Sequence, residues 1–133
     1  EKKGEFYLLP FGLLVLSGRD GANQPFMQEI LGPNVQMEWD SWLEMNPDVA
    51  KNMGLKDGEW VWITSGDKKE KCKVKLYPGI RPDCVGLPLG LGRKGLGRWA
   101  KGRGINPFQF VNLSRDSVFE FPEFLTKVRI ERV

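Results

Sequence analysis

The sequence predicts a mainly β fold with only short helices, on the strength of three observations. Sixteen glycines and nine prolines among 133 residues interrupt the chain too often for a helical bundle. Two stretches, Glu59–Ser65 and Lys71–Tyr77, carry the β-branched, aromatic or alternating pattern of strands on either side of a glycine turn. The helical signals, Pro25–Leu31 and Pro47–Met53, are each about two turns long and bounded by stop residues. With 41% hydrophobic and 28% charged residues, the chain is globular, and its length suits one domain with a core of its own. No linker or internal repeat divides it, so residues 1–133 are expected to form a single unit.

Taken in order, Glu1–Glu5 is a charged lead-in without an initial Met, which suits a piece of a longer protein. Phe6–Leu16 is apolar, broken by Pro10 and Gly12, and reads as one or two strand pieces that end in the turn residues Ser17-Gly18-Arg19-Asp20-Gly21. Pro25 opens the first short helix and Gly32 stops it. Glu38–Met45 reads as a strand with aromatic residues on one side. Asn46 is then a helix N-cap, Pro47 a first helical residue, and Gly54 a terminator. Lys56-Asp57-Gly58 turns into the first strand of the hairpin, and Gly66–Lys69 joins it to the second. Pro78–Asp83 is a rigid turn leading to the apolar Cys84–Leu89. Near the end, Val128 and Ile130 alternate with Lys127, Arg129 and Glu131 in a last strand within Leu125–Val133.

The chemistry concentrates in Gly86–Asn106, which holds seven glycines and the cations Arg93, Lys94, Arg98, Lys101 and Arg103. No Asp or Glu lies between Asp83 and Asp116. Glycine lets backbone N–H groups come close to a ligand, and interleaved Arg and Lys supply charge, so the segment suits an anion such as a nucleotide phosphate. A solvated basic loop has the same composition. Gly90–Gly95 spells G-x-G-x-x-G, but later glycines oppose the helix that a dinucleotide-binding crossover needs, and its acidic partner is missing. No Gly-Lys-Ser or Gly-Lys-Thr makes a P-loop.

Other chemistries find little support. The chain has no histidine, and two cysteines, Cys72 and Cys84, are too few for a zinc site; both are expected to be buried thiols. The carboxylates Asp40, Glu44, Asp48, Asp57 and Glu59 fall at turns and helix ends, where capping explains them. Five tryptophans beside a basic segment invite a nucleic-acid reading, but four sit in expected strands and the basic residues gather in one loop. No apolar run reaches the length of a membrane span.

The ordered series Trp39–Gly54, Leu55–Trp62, Leu76–Asp83 and Gly90–Asn106 resembles the C-terminal dinucleotide-binding domain of molybdopterin oxidoreductases. These form the dimethyl sulfoxide reductase superfamily, and the likeness is greatest to its polysulfide, thiosulfate and tetrathionate reductase branch. The resemblance covers nearly the whole chain. It implies a double-psi β-barrel that binds molybdopterin guanine dinucleotide, with molybdenum or tungsten held by a ligand in an earlier domain. By motif match, Ser17, Gly18, Arg19, Asn23 and Gln24 form one side of the cofactor site. Gly92, Arg93, Lys94, Gly97, Arg98 and Asn106 form the other. Where many relatives carry histidine this chain has Arg93, whose guanidinium can still donate to a phosphate or pterin oxygen.

The resemblance further implies that catalysis belongs to the assembled enzyme. The expected partners are the remaining domains of a catalytic subunit and an iron–sulfur electron-transfer subunit, with no nucleic acid and no direct membrane insertion. The competing expectation is a cofactor-free structural domain in a membrane-associated respiratory complex.

Overall fold

In the computed structural model, the described residues are 4–12, 41–89, 92, 98, 104–110 and 126–133. Six strands close into a barrel: β1 (Glu5–Phe11), β2 (Trp42–Met45), β3 (Trp60–Ser65), β4 (Lys68–Leu76), β5 (Cys84–Pro88) and β6 (Lys127–Arg132). Around the barrel they run β1, β5, β2, β4, β3, β6. Two neighbouring pairs are parallel, β1 with β5 and β2 with β4, and the other four are antiparallel. The expected mainly β barrel of the double-psi type is therefore the observed fold.

The core follows from alternation. Phe6 and Leu8, Leu43 and Met45, Val61 and Ile63, Cys72 and Val74, Val85 and Leu87, and Val128 and Ile130 all point inward and are nearly or fully buried. Each strand thus contributes two residues two positions apart, as a pleated strand with one buried face must. A fully buried Val, Leu or Ile contributes about 1.5–3 kcal/mol. Ile105 and Phe110, which follow the glycine-rich segment, pack into the same cluster.

Between β2 and β3 runs α1 (Pro47–Asn52), placed where the capping signals put it. The Asn46 side chain accepts from the Asp48 N–H at 3.0 Å and donates from Nδ2 to the Ile80 carbonyl at 3.0 Å. It therefore caps the helix and ties it to the turn before β5. Asp57 Oδ1 accepts from the Leu76 N–H at 2.9 Å, which pins the following turn to the end of β4.

Several boundaries differ from the sequence reading. The β3–β4 turn is only Gly66-Asp67, since Ser65 pairs directly with Lys68, so Lys69 lies in a strand. Gly66, at φ 58°, makes so tight a connection possible. The strand expected over Glu38–Met45 is observed as Trp42–Met45, with Ser41 just ahead of it and residues 38–40 outside the described set. The expected helix Pro25–Leu31 also lies outside it. Both cysteines are free and buried, as expected. Burial and the neighbouring Asp83 carboxylate push the Cys84 thiol pKa up.

Candidate functional site

The barrel's parallel pairs decide where its long connections emerge. β1 and β5 run side by side in the same direction, with Phe11 opposite Pro88, and the Leu89 N–H donates to the Phe11 carbonyl at 2.7 Å. The chain therefore leaves these two strands at the same end of the barrel. From β1 it enters the segment holding Ser17, Gly18, Arg19, Asn23 and Gln24. From β5 it enters the segment holding Gly92, Arg93, Lys94, Gly97 and Arg98. β2 runs antiparallel to β5, which brings its first residues to this end as well.

The second segment begins and ends at one point. Gly92 lies at φ 77°, and a Cβ there would overlap the Asn106 nitrogen and the Ile105 carbonyl carbon and come within 2.8 Å of Ile105 Cα. Only glycine allows these backbones so close. Ser41, just before β2, fastens the same place: its hydroxyl accepts from the Ile105 N–H at 2.7 Å and faces the Ile105 carbonyl at 3.4 Å. Ser41 is the buried polar residue of the described set, at 4% exposure. Beyond it, the short 3₁₀ turn Pro107–Gln109 carries the chain to Phe110, whose carbonyl accepts from the Ser65 hydroxyl at 3.3 Å. Residues 104–110 thus run from the start of β2 to the end of β3.

Of the expected site residues, the described set holds Gly92, Arg98 and Asn106. Gly92 and Asn106 meet at the neck of the segment, and Arg98 is exposed. Asn106 Oδ1 accepts from the Phe108 N–H at 3.1 Å, so what it can offer a ligand is its amide NH₂. Ser17, Gly18, Arg19, Asn23, Gln24, Arg93, Lys94 and Gly97 lie outside the described residues. The sequence reading assigned no role to Ser41, although it lies within the Trp39–Gly54 stretch of the resemblance, because its partner Ile105 is 64 residues away.

A separate cleft of about 470 Å³ opens between β1, β6 and the β3–β4 hairpin, bordered by Glu5, Thr64, Lys69, Lys127, Arg129 and Glu131. Gly92, Arg98 and Asn106, the expected site residues within the described set, do not line it. Cations and carboxylates alternate there, and Arg129 already reaches Glu5 at 3.7 Å, so it lacks the one-signed field of an anion site. No cluster of potential metal ligands occurs among the described residues. No described helix is long and apolar enough to cross a membrane.

Comparison with known proteins gives the chain a family. Residues 27–116 match the model of the molydopterin dinucleotide binding domain. Over 96 residues the chain is 31% identical to the thiosulfate reductase molybdopterin-containing subunit of Salmonella typhimurium, covering 71% of this chain and 12% of that protein. Over 65 residues it is 40% identical to the arsenate respiratory reductase molybdopterin-containing subunit of a Shewanella species, covering 48% of this chain and 8% of the relative. The fold is similar to that of acetylene hydratase from Pelobacter acetylenicus, with a TM-score of 0.53 at 18% identity, covering 95% of this chain and 18% of that one. The chain thus spans a small fraction of the length of these relatives. It belongs to the molybdopterin dinucleotide binding domain family of the molybdopterin oxidoreductases.

Proposed function

We infer that this chain binds and orients the guanine dinucleotide end of a bis(molybdopterin guanine dinucleotide) cofactor carrying molybdenum or tungsten. The observation that carries the reading is the parallel β1–β5 pair, whose shared exit starts both expected walls of the site from adjacent strand ends. Ser17, Gly18, Arg19, Asn23 and Gln24 form the first wall, and Gly92, Arg93, Lys94, Gly97, Arg98 and Asn106 the second. A pyrophosphate asks for several donors at once, because one exposed Arg or Lys contact is screened by water. Arg93, Lys94 and Arg98 supply cationic donors, Asn106 an amide donor, and the glycines admit the phosphates to backbone N–H groups.

The donor set therefore fits the nucleotide's anionic end. The cofactor, when bound, supplies the oxygen-atom or electron-transfer chemistry; this chain's residues hold the nucleotide in a fixed place and direction. The domain belongs to a longer catalytic subunit that works with an iron–sulfur electron-transfer subunit. Isothermal titration of the 133-residue chain with guanosine diphosphate tests the binding role. Arg93→Ala and Arg98→Ala should each weaken binding by about 1.5–3 kcal/mol, the range of a charge-assisted hydrogen bond, and by less at high salt. Lys51→Ala, on α1, should bind as the wild type does. Equal losses in all three variants, or no binding by the wild type, would refute the assignment.

A further inference from the structure

On the outer face of the barrel, β4 presents Lys69, Lys71 and Lys73 on alternate residues while Cys72 and Val74 point inward. Side chains on one face of a strand recur about every 6.6–6.8 Å, so the three lysines leave the backbone in a regular column. β3 sets Trp60 opposite Lys73 and Trp62 opposite Lys71 on that face. The lysines lie against these indoles: Lys69 Nζ is 4.7 Å from the Trp62 ring centroid. Lys71 Nζ is 5.2 Å from Trp60 and 5.9 Å from Trp62, and Lys73 Nζ is 5.2 Å from Trp60. None of the ion pairs among the described residues involves these three lysines. The register sets two carboxylates beside this face, Glu131 opposite Trp62 and Glu44 opposite Lys75; Glu44 accepts from the Trp42 indole N–H at 3.1 Å, and neither forms an ion pair with these three lysines.

An indole beneath an ammonium attracts it without neutralising it. The charges are thus held in place yet remain available, which lowers the ordering cost of engaging a partner. We propose that this Lys–Trp face docks an extended acidic segment of another polypeptide, with carboxylates on alternate residues matching Lys71 and Lys73, while Lys69 stands at the edge of the mixed-charge cleft it shares with Glu131. The period is the argument for an extended segment, since its alternate side chains share the spacing of β4. The same geometry disfavours two other anionic occupants. Bases of single-stranded nucleic acid stack on open ring faces, and these rings already carry ammonium groups. A lipid surface carries no strand period to match the lysine column. β4 is paired on both sides, by β2 and β3, so the partner meets side chains and does not add as a strand.

The test is binding of a fluorescent poly-L-glutamate peptide to the full chain, by anisotropy at low and high salt. Wild type should bind, and binding should weaken as salt rises. Lys71→Gln/Lys73→Gln should weaken it about fivefold, as expected for two solvent-facing charge contacts. The control Lys51→Gln/Lys56→Gln removes equal charge elsewhere and should leave affinity unchanged. Trp60→Leu keeps every charge and should still weaken binding, because two lysines lose their support. The proposal fails if the wild type does not bind, if the control loses as much as the face variant, or if Trp60→Leu has no effect. It fails equally if oligothymidylate or phosphatidylserine vesicles bind this face more tightly than the peptide, or if sedimentation shows the face occupied by a second copy.

Discussion

Replacing Ser41 by alanine should loosen the neck of the glycine-rich segment without touching any residue that would contact a ligand. The hydroxyl satisfies the Ile105 N–H at 2.7 Å in a site where Ser41 is 4% exposed, so water cannot take its place. An unsatisfied buried donor costs about 1–3 kcal/mol, and the longer 3.4 Å contact to the Ile105 carbonyl adds little. For a domain of this size, 1 kcal/mol lowers Tm by about 3–6 °C. Urea denaturation with native-state hydrogen exchange reads both the global and the local effect. Stability should fall by about 1–3 kcal/mol, with the Ile105 amide among those losing most protection. Gly92→Ala forces a side chain into the left-handed region and into backbone, so it should cost at least as much. Because both substitutions act on one neck, the double variant should depart from additivity by about 0.5 kcal/mol or more. Unchanged stability with a still-protected Ile105 amide in Ser41→Ala would refute the reasoning.

Two further outcomes follow from the capping and charge contacts. Asn46→Ala removes the helix cap and the bond to Ile80 together, and chemical denaturation should show a loss of about 1–2 kcal/mol, while Asp48→Ala should cost less. The Lys56 backbone N–H, aided by Arg132, holds the Glu59 carboxyl below its usual pKa of 4.5, so the native state binds its proton less readily than the unfolded chain. That contribution is complete above about pH 4.5 and is lost as pH falls through the lowered value; Glu59→Gln should flatten the acid limb of stability against pH.

What the sequence made legible was local. The β3–β4 hairpin announced itself through alternating Cys72 and Val74 on one side of Gly66 and Val61 and Ile63 on the other. α1 did so through Asn46 and Pro47. Strand ends were less legible, because a two-residue turn and a four-residue turn read alike until the pairing of Ser65 with Lys68 is seen. The parallel pairs β1–β5 and β2–β4 join strands far apart in the chain, and no local pattern encodes them. The same holds at the candidate site. The glycines and cations of Gly86–Asn106 were conspicuous, whereas Ser41 matters only through a partner 64 residues away. Trp60 and Trp62 fall in an expected strand, but their place beneath the lysines depends on register, which composition does not contain.

The order of strands around the barrel also dictates how the molecule must be made. β6 pairs with β1 on one side and β3 on the other, so the last described strand is the closing stave. During synthesis, β1 emerges long before β5 and β6, the two strands that cover its edges. Until then the backbone donors and acceptors along its two edges lack those strand partners. Such long-range closure slows folding and leaves an open edge able to pair with other chains. Hairpin β3–β4 can form early from neighbouring residues, but the barrel shuts only when β6 arrives. A nascent chain stalled before Lys127 would therefore leave unpaired the two edges, one of β1 and one of β3, that β6 covers.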